Sequence, residues 1–373
     1  MRQLFITGMM RSGTSLAQTI LDNHPQLFVA PQPFYQLYVD IKQLFLDEHN
    51  LHSLLPLGDG MDAGNSERNL FNKWLHVRNF NEPETAWLIE RSITGKSGGA
   101  CAAGGKLSAK PGTFFSIRNE LHTSLSKHLC SQTPAYIGSK DAFCEEYVPE
   151  LINNNVHCLL IIRDPRAVIA SACHGIYFKS VGDRYPLLML IRLWRKSAAY
   201  WLALRNSPLA QAVRYEDIVA KPENIMCDIT KWLDIQAFPD FMKDQPLRDF
   251  GGNIWKGNSS FGNKVGVESS TKDTWRTLLT TDEIRFIEAC TKPELTALGY
   301  SYNNDLKQSD ISSFTEDVSG VRETYLPTYM LNENNREMEL QRWKSAEIGQ
   351  YYNQEEKRFF LFPEVFRDSL LAI

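Results

Sequence analysis

Near the start of the chain a short apolar run, Leu4-Phe5-Ile6, meets a glycine-bounded octet, Gly8-Met9-Met10-Arg11-Ser12-Gly13-Thr14-Ser15. Residues 3–7, apolar and β-prone with little alternation, predict a buried first strand. The glycines permit a tight turn behind it. Residues 15–22 then carry a helical pattern that ends near Asn23-His24-Pro25, because proline does not continue a helix. Strand, glycine turn and helix form the opening unit of a doubly wound sheet, and the free N–H groups at the helix start make an anion site.

The octet has the glycine spacing of G-x-x-x-x-G-K-[ST], but Thr14 stands where lysine belongs. The side chain that reaches the outer phosphates of a nucleoside triphosphate is therefore missing. A basic residue sits inside the loop instead, at Arg11. This arrangement suits a shorter anion chain, such as one phosphate joined to one sulfuryl group.

Periodicity predicts helices over 34–47 and around 67–78, 83–92 and 113–129. Ala135 to Ser139, Cys158 to Ile162 and Ala212 to Tyr215 read as further core strands, each followed by a helical stretch. Cys158-Leu159-Leu160-Ile161-Ile162 suits a central parallel strand. Thr281 to Leu298 is a last amphipathic helix, closed by Gly299. Gly95 to Gly112 is rich in Gly, Ala, Ser and Lys, and reads either as a plain linker or as a lid over a binding site. After Tyr300 polar residues dominate until an aromatic and apolar end, Phe359 to Ile373.

The expected architecture is α/β: a P-loop-type three-layer fold, its central parallel sheet flanked by helices, with a C-terminal extension. Residues 1–300 would form the domain, with a helical or lid insertion at about 60–135. Residues 301–373 would pack on the domain or on a second copy of the chain as a homodimer.

A net charge of -4 argues against a nucleic-acid partner. Seven scattered cysteines without a CxxC pair read as reduced, buried thiols. The loop at Gly8 leaves no room for a secretion signal ahead of it, and no apolar window approaches a membrane span. The expected location is cytoplasmic, with no membrane partner.

A second element follows the central strand: Arg163-Asp164-Pro165-Arg166-Ala167-Val168-Ile169-Ala170-Ser171. Arg163 at a strand's carboxyl end lies where open α/β sheets bind ligands. Pro165 suits the first turn of a helix, and Ser171, about two turns on, could face the same ligand. A guanidinium and a hydroxyl jointly hold a phosphate. The alternatives are an arginine that merely pairs with Asp164, or Asp164 as the Mg²⁺-holding aspartate of a kinase or NTPase.

Together the two elements resemble the sulfotransferases that use 3′-phosphoadenosine 5′-phosphosulfate (PAPS). The resemblance spans roughly residues 3 to 300. It extends to Val213-Arg214-Tyr215-Glu216-Asp217-Ile218, similar to the family's R-Y-E-D-L segment, and to the loop Trp255-Lys256-Gly257-Asn258-Ser259-Ser260-Phe261. It implies a sulfotransferase that moves a sulfuryl group from PAPS to a hydroxyl of a small-molecule acceptor, a secondary metabolite, and releases 3′-phosphoadenosine 5′-phosphate (PAP). By the same resemblance Arg11, Ser12, Gly13, Thr14 and Ser15 hold the 5′-phosphosulfate, and Arg163 with Ser171 holds the 3′-phosphate. Tyr215 would lie by the adenine, with a core aromatic as its alternative, and Lys256 and Gly257 would close over the nucleotide.

Sulfuryl transfer asks for in-line positioning and charge stabilisation, and the leaving group is already a phosphate, so no metal is needed in principle. Arg11 and the strand-end Lys140 are the expected charge stabilisers; the alternative for Lys140 is a solvated loop lysine. A general base is harder to find. The family's histidine position holds Ala142, and its glutamate position holds Gln32. Asp141 is the first choice, unless it only caps the helix starting near Glu145. Glu145, His52, His122 and His174 are the others. The loss of both familiar bases leaves a non-catalytic nucleotide-binding protein as a further alternative.

Overall fold

The computed structural model describes residues 2–51, 65–95, 107–130, 132–175, 183–238, 246–257, 273–350 and 359–366. Its sheet is built from β1 (Arg2–Thr7), β2 (Leu27–Pro31), β3 (Tyr136–Lys140), β4 (Val156–Ile162) and β5 (Ala210–Arg214). All pair in parallel, in the order β2-β3-β1-β4-β5. The helices of the body are α1 (Thr14–Asp22), α2 (Tyr35–Glu48), α3 (Asn65–Val77), α4 (Glu82–Thr94), α5 (Phe114–Leu129) and α6 (Val148–Asn153). They continue with α7 (Pro165–His174), α8 (Leu187–Leu204), α9 (Tyr215–Ala220), α10 (Pro222–Trp232) and α11 (Thr281–Leu298).

Alternation along the strands sorts the three layers. Leu4 and Ile6 of β1 and Leu159 and Ile161 of β4 join a core with α1, α9 and α10. Phe5, Cys158 and Leu160 point the other way, into a core shared with α2, α5, α6 and α8. This is the P-loop-type α/β fold expected from the sequence. One strand was not foreseen. Leu27–Pro31 pairs with β3 at the sheet edge, where a terminal proline without an N–H is tolerated.

From β1 the chain fills one side of the sheet with β2 and β3, then crosses to place β4 and β5 on the other. The switch point therefore lies between β1 and β4, and open α/β sheets bind ligands outside the carboxyl ends of such strands. Thr7, Pro31, Lys140, Ile162 and Arg214 end their strands on that edge.

Part of the stretch Gly95 to Gly112, residues 96–106, lies outside the described residues. Its described end is pinned: Gly112 and Phe80 exchange backbone hydrogen bonds of 2.8 and 3.1 Å. The longest helix of the extension among the described residues is α12 (Glu333–Glu347). Glu339 meets Arg195 at 2.5 Å and Arg192 at 3.2 Å on α8, and Arg342 pairs with Glu294 on α11. Upstream, Glu316 accepts the Leu187 N–H at 2.9 Å and so caps the start of α8, where Pro186 has no side-chain cap to offer. Among the described residues no helix is long and apolar enough to cross a membrane.

Candidate active site

Two glycines shape the loop after β1. A Cβ on Gly8 would lie 2.3 Å from the Ile161 carbonyl oxygen, and one on Gly13 would lie 2.3 Å from the Tyr215 ring. Both also have positive φ, 151° and 91°. Between them Arg11 takes a left-handed φ of 63°, uncommon for a residue with a Cβ. Gly13 caps α1 without a side chain, and the first turn holds no acidic residue. Ser12 is fully buried, and its Oγ has no hydrogen-bond partner among the described residues. A bare helix start beside a buried, unsatisfied hydroxyl fits an anion. Thr14 is buried and Ser15 half-buried at the same helix start.

The structure brings the two sequence motifs together. Arg11 Nε donates to Ser171 Oγ at 3.0 Å, and Arg163 Nη1 donates to the Arg11 carbonyl at 3.1 Å. The Arg163 guanidinium lies 4.3 Å from the Tyr215 ring centroid, a cation–π contact. Trp194 Nε1 holds the Arg163 carbonyl at 2.7 Å. Burial first, then repulsion from Arg163, lowers the Arg11 pKa to about 10. Two guanidiniums drawn together and partly desolvated favour a bound anion.

Asp164 pairs with a different arginine. Its Oδ1 caps α7 by accepting the Arg166 N–H at 2.9 Å, and Arg166 also bonds it through Nε and Nη2 at 2.9 and 2.6 Å. Arg166 reaches on to Glu288 at 2.5 Å. The alternative in which Arg163 serves only as the partner of Asp164 is thus replaced: Arg166 takes that place.

Lys140 ends β3 and is 3% exposed, so it is not a solvated loop lysine. Its Nζ donates to Gln32 Oε1 at 2.9 Å, and Gln32 N donates to the Lys140 carbonyl at 2.7 Å. The unforeseen strand β2 is what carries Gln32 to this place. Only its four-residue apolar run, Leu27 to Ala30, signalled it.

Asp141 is fully buried and accepts the Phe34 N–H at 3.3 Å, at the start of α2 rather than near Glu145. Its Oδ2 has no hydrogen-bond partner among the described residues. Burial pushes its pKa up to about 6, against the opposing pull of Ser139, Lys140, the Phe34 N–H and Arg118.

The fallback bases are placed less well. Glu145 is tied to Lys196 at 2.7 Å and to Ser197. His122 lies behind β3, with Nδ1 2.9 Å from the Arg118 carbonyl and Nε2 3.1 Å from Ser139 Oγ. Burial and then Arg118 push its pKa far down. Burial likewise lowers the pKa of His174 at the end of α7. His52 lies outside the described residues.

Tyr215 packs on Gly13 beneath Arg163, within the core cluster of α1 and β5. Trp255 packs against that same cluster, next to the exposed Lys256. Gly257 has a φ of 82°. Residues 258–261 of that loop lie outside the described residues.

This geometry joins a phosphate-type loop to a strand-end arginine at the switch point, an arrangement suited to an anionic ligand. The model of the Sulfotransferase family matches residues 3–240, and the chain belongs to that family. It is a sulfotransferase. A Caenorhabditis briggsae protein whose name places it with protein-tyrosine sulfotransferases is 22% identical over 324 residues, covering 84% of this chain and 94% of that protein. Among solved structures, the sulfotransferase domain of the curacin biosynthetic pathway is 18% identical, with a TM-score of 0.45 over 81% of this chain and 99% of the domain. The corresponding domain of the Synechococcus PCC 7002 olefin synthase is 16% identical, with a TM-score of 0.46 over 81% and 96%.

Proposed function

We propose that the donor is PAPS and that its sulfuryl group passes in line to a hydroxyl of a small-molecule acceptor, a secondary metabolite, releasing PAP. The observation that carries this reading is the junction of Arg11, Ser171 and Arg163 across the switch point. It joins the loop suited to a 5′-phosphosulfate to the strand end suited to a 3′-phosphate. Ser12, Gly13, Thr14 and Ser15 would complete the first anion site at the helix start. Tyr215, Lys256 and Gly257 are assigned to the nucleotide.

In the reaction the acceptor oxygen forms a bond to sulfur as the bond from sulfur to the bridging phosphate oxygen breaks. Arg11 and Lys140 balance the charge left on the 5′-phosphate. Asp141 takes the hydroxyl proton, a role that its raised pKa and unsatisfied oxygen support. Met10 and Phe143, half-buried beside the loop, favour an acceptor with apolar surface near its hydroxyl. Phe143 N is anchored to the Gly8 carbonyl at 3.1 Å. A kinase reading is disfavoured by Thr14 in place of lysine and by the engagement of Asp164 with Arg166.

Arg163→Ala is expected to weaken PAP binding about 10- to 100-fold in calorimetric titration, since a buried phosphate loses a charge-assisted partner. Unchanged affinity would remove Arg163 from the donor site.

A further inference from the structure

Glu216 sits beside the donor site with its side chain 19% exposed, and its Oε2 lies 4.0 Å from Arg214 Nε. Its Oε1 accepts the Asp164 backbone N–H at 3.0 Å. Its Oε2 accepts the Tyr300 hydroxyl at 2.9 Å. Tyr300 follows Gly299, the residue that closes α11. Arg214 completes the set, with its guanidinium 4.2 Å from the Tyr300 ring centroid and Nη1 3.2 Å from the Leu298 carbonyl.

Asp164 is the cap residue between β4 and α7, so its N–H belongs to the turn that presents Arg163. The adjacent Tyr215 supports the same turn from the other side, through the Arg163 guanidinium, and seats Gly13 of the loop. A single dipeptide at the end of β5 therefore grips both anion-binding segments. We infer that Glu216 is a positioning residue of the donor site: it fixes the Arg163-Asp164 turn by bridging the Asp164 N–H to Tyr300.

The inference rests on the reading of Arg163 as a donor-phosphate ligand. Charge and geometry pull in opposite directions here, which makes the role separable. Removing the carboxylate takes a negative charge from beside the site and frees its ion-pair partner Arg214, both of which favour an anion, yet it releases the turn. Glutamine keeps the shape without the charge: its Oε1 accepts the Asp164 N–H, and its Nε2 donates to the Tyr300 hydroxyl oxygen, the reverse of the wild-type bond.

PAP titration of four proteins tests it: wild type, Glu216→Ala, Glu216→Gln and the Glu216→Ala, Arg163→Ala double variant. Glu216→Ala is expected to weaken PAP about tenfold, and Glu216→Gln to restore affinity to within about twofold of wild type. In the Arg163→Ala background Glu216→Ala should add less than about twofold, because the turn then has no guanidinium to aim. If Glu216→Ala binds PAP like wild type, or loses tenfold in both backgrounds, the inference is overturned. Equal losses for Ala and Gln overturn it too. Should Glu216→Ala not fold, Glu216→Asp, too short to bridge both partners, takes its place with the same thresholds. Failure of the wild type itself to bind PAP would remove the donor reading, and this inference with it.

Discussion

Asp141→Asn is expected to lower turnover by about 10²- to 10⁴-fold while leaving PAP affinity within about twofold of wild type. The carboxylate must be ionised to take a proton from the acceptor. With its pKa pushed by burial to about 6, turnover should rise with pH through about 6 and level off above it. The asparagine variant should lose that limb.

The same burial has a cost in stability. A folded pKa raised from 3.8 to about 6 means the folded state prefers the proton. Stability is then lost as pH rises between those values, by up to about 3 kcal/mol at neutral pH. Asparagine keeps the shape without the charge, so the variant should resist urea better than wild type at pH 8 and match it near pH 4. A large loss of turnover joined to a gain in stability marks a group kept for chemistry rather than for folding. Full activity in Asp141→Asn would move the base elsewhere.

Glu339→Gln is expected to destabilise the protein by about 3–5 kcal/mol. Glu339 is 1% exposed and lies between Arg192 and Arg195, both almost fully buried. Burial alone would raise its pKa, but Arg195 and then Arg192 hold it down at about 2. A folded value depressed from 4.5 means stability that is fully present above about 4.5 and lost as pH falls toward 2. The neutral variant leaves two arginines buried beside a group without charge. Denaturant unfolding at pH 7 measures the loss, and the gap to wild type should narrow as pH drops below about 4.5. A difference under about 1 kcal/mol would mean that the extension is not anchored through this pair.

These two sites show unequally well in the sequence. The β1 loop was legible because close packing and positive φ leave little choice at Gly8 and Gly13. The long helices were legible from apolar spacing, as for Phe114–Leu129 and Thr281–Leu298. Strand β2 was not, because five residues between Pro25 and Pro31 look like a connection, and its pairing is decided by β3 far along the chain.

The helix Glu333–Glu347 hid its role for a related reason. ENNREMELQRWKSAE has the composition of a solvated surface helix, yet it buries Asn335, Glu339 and Arg342. Their partners Arg192, Arg195 and Glu294 lie in distant segments, and no local pattern announces a pairing across such separations. The candidate site divides the same way. Arg11, Arg163 and Ser171 follow from strand ends and helix turns, whereas the contact of Gln32 with Lys140 and that of Glu216 with Asp164 exist only in the folded chain.

The site is expected to take an adenosine 3′,5′-bisphosphate rather than a nucleoside triphosphate. Calorimetric titration of the wild-type protein with PAP, with PAPS and with ATP–Mg²⁺ tests it most directly. PAP and PAPS are expected to saturate one site per chain, and ATP–Mg²⁺ to bind at least about tenfold more weakly, since Thr14 offers no lysine to the outer phosphates. Binding of ATP–Mg²⁺ with no binding of PAP or PAPS would contradict the account.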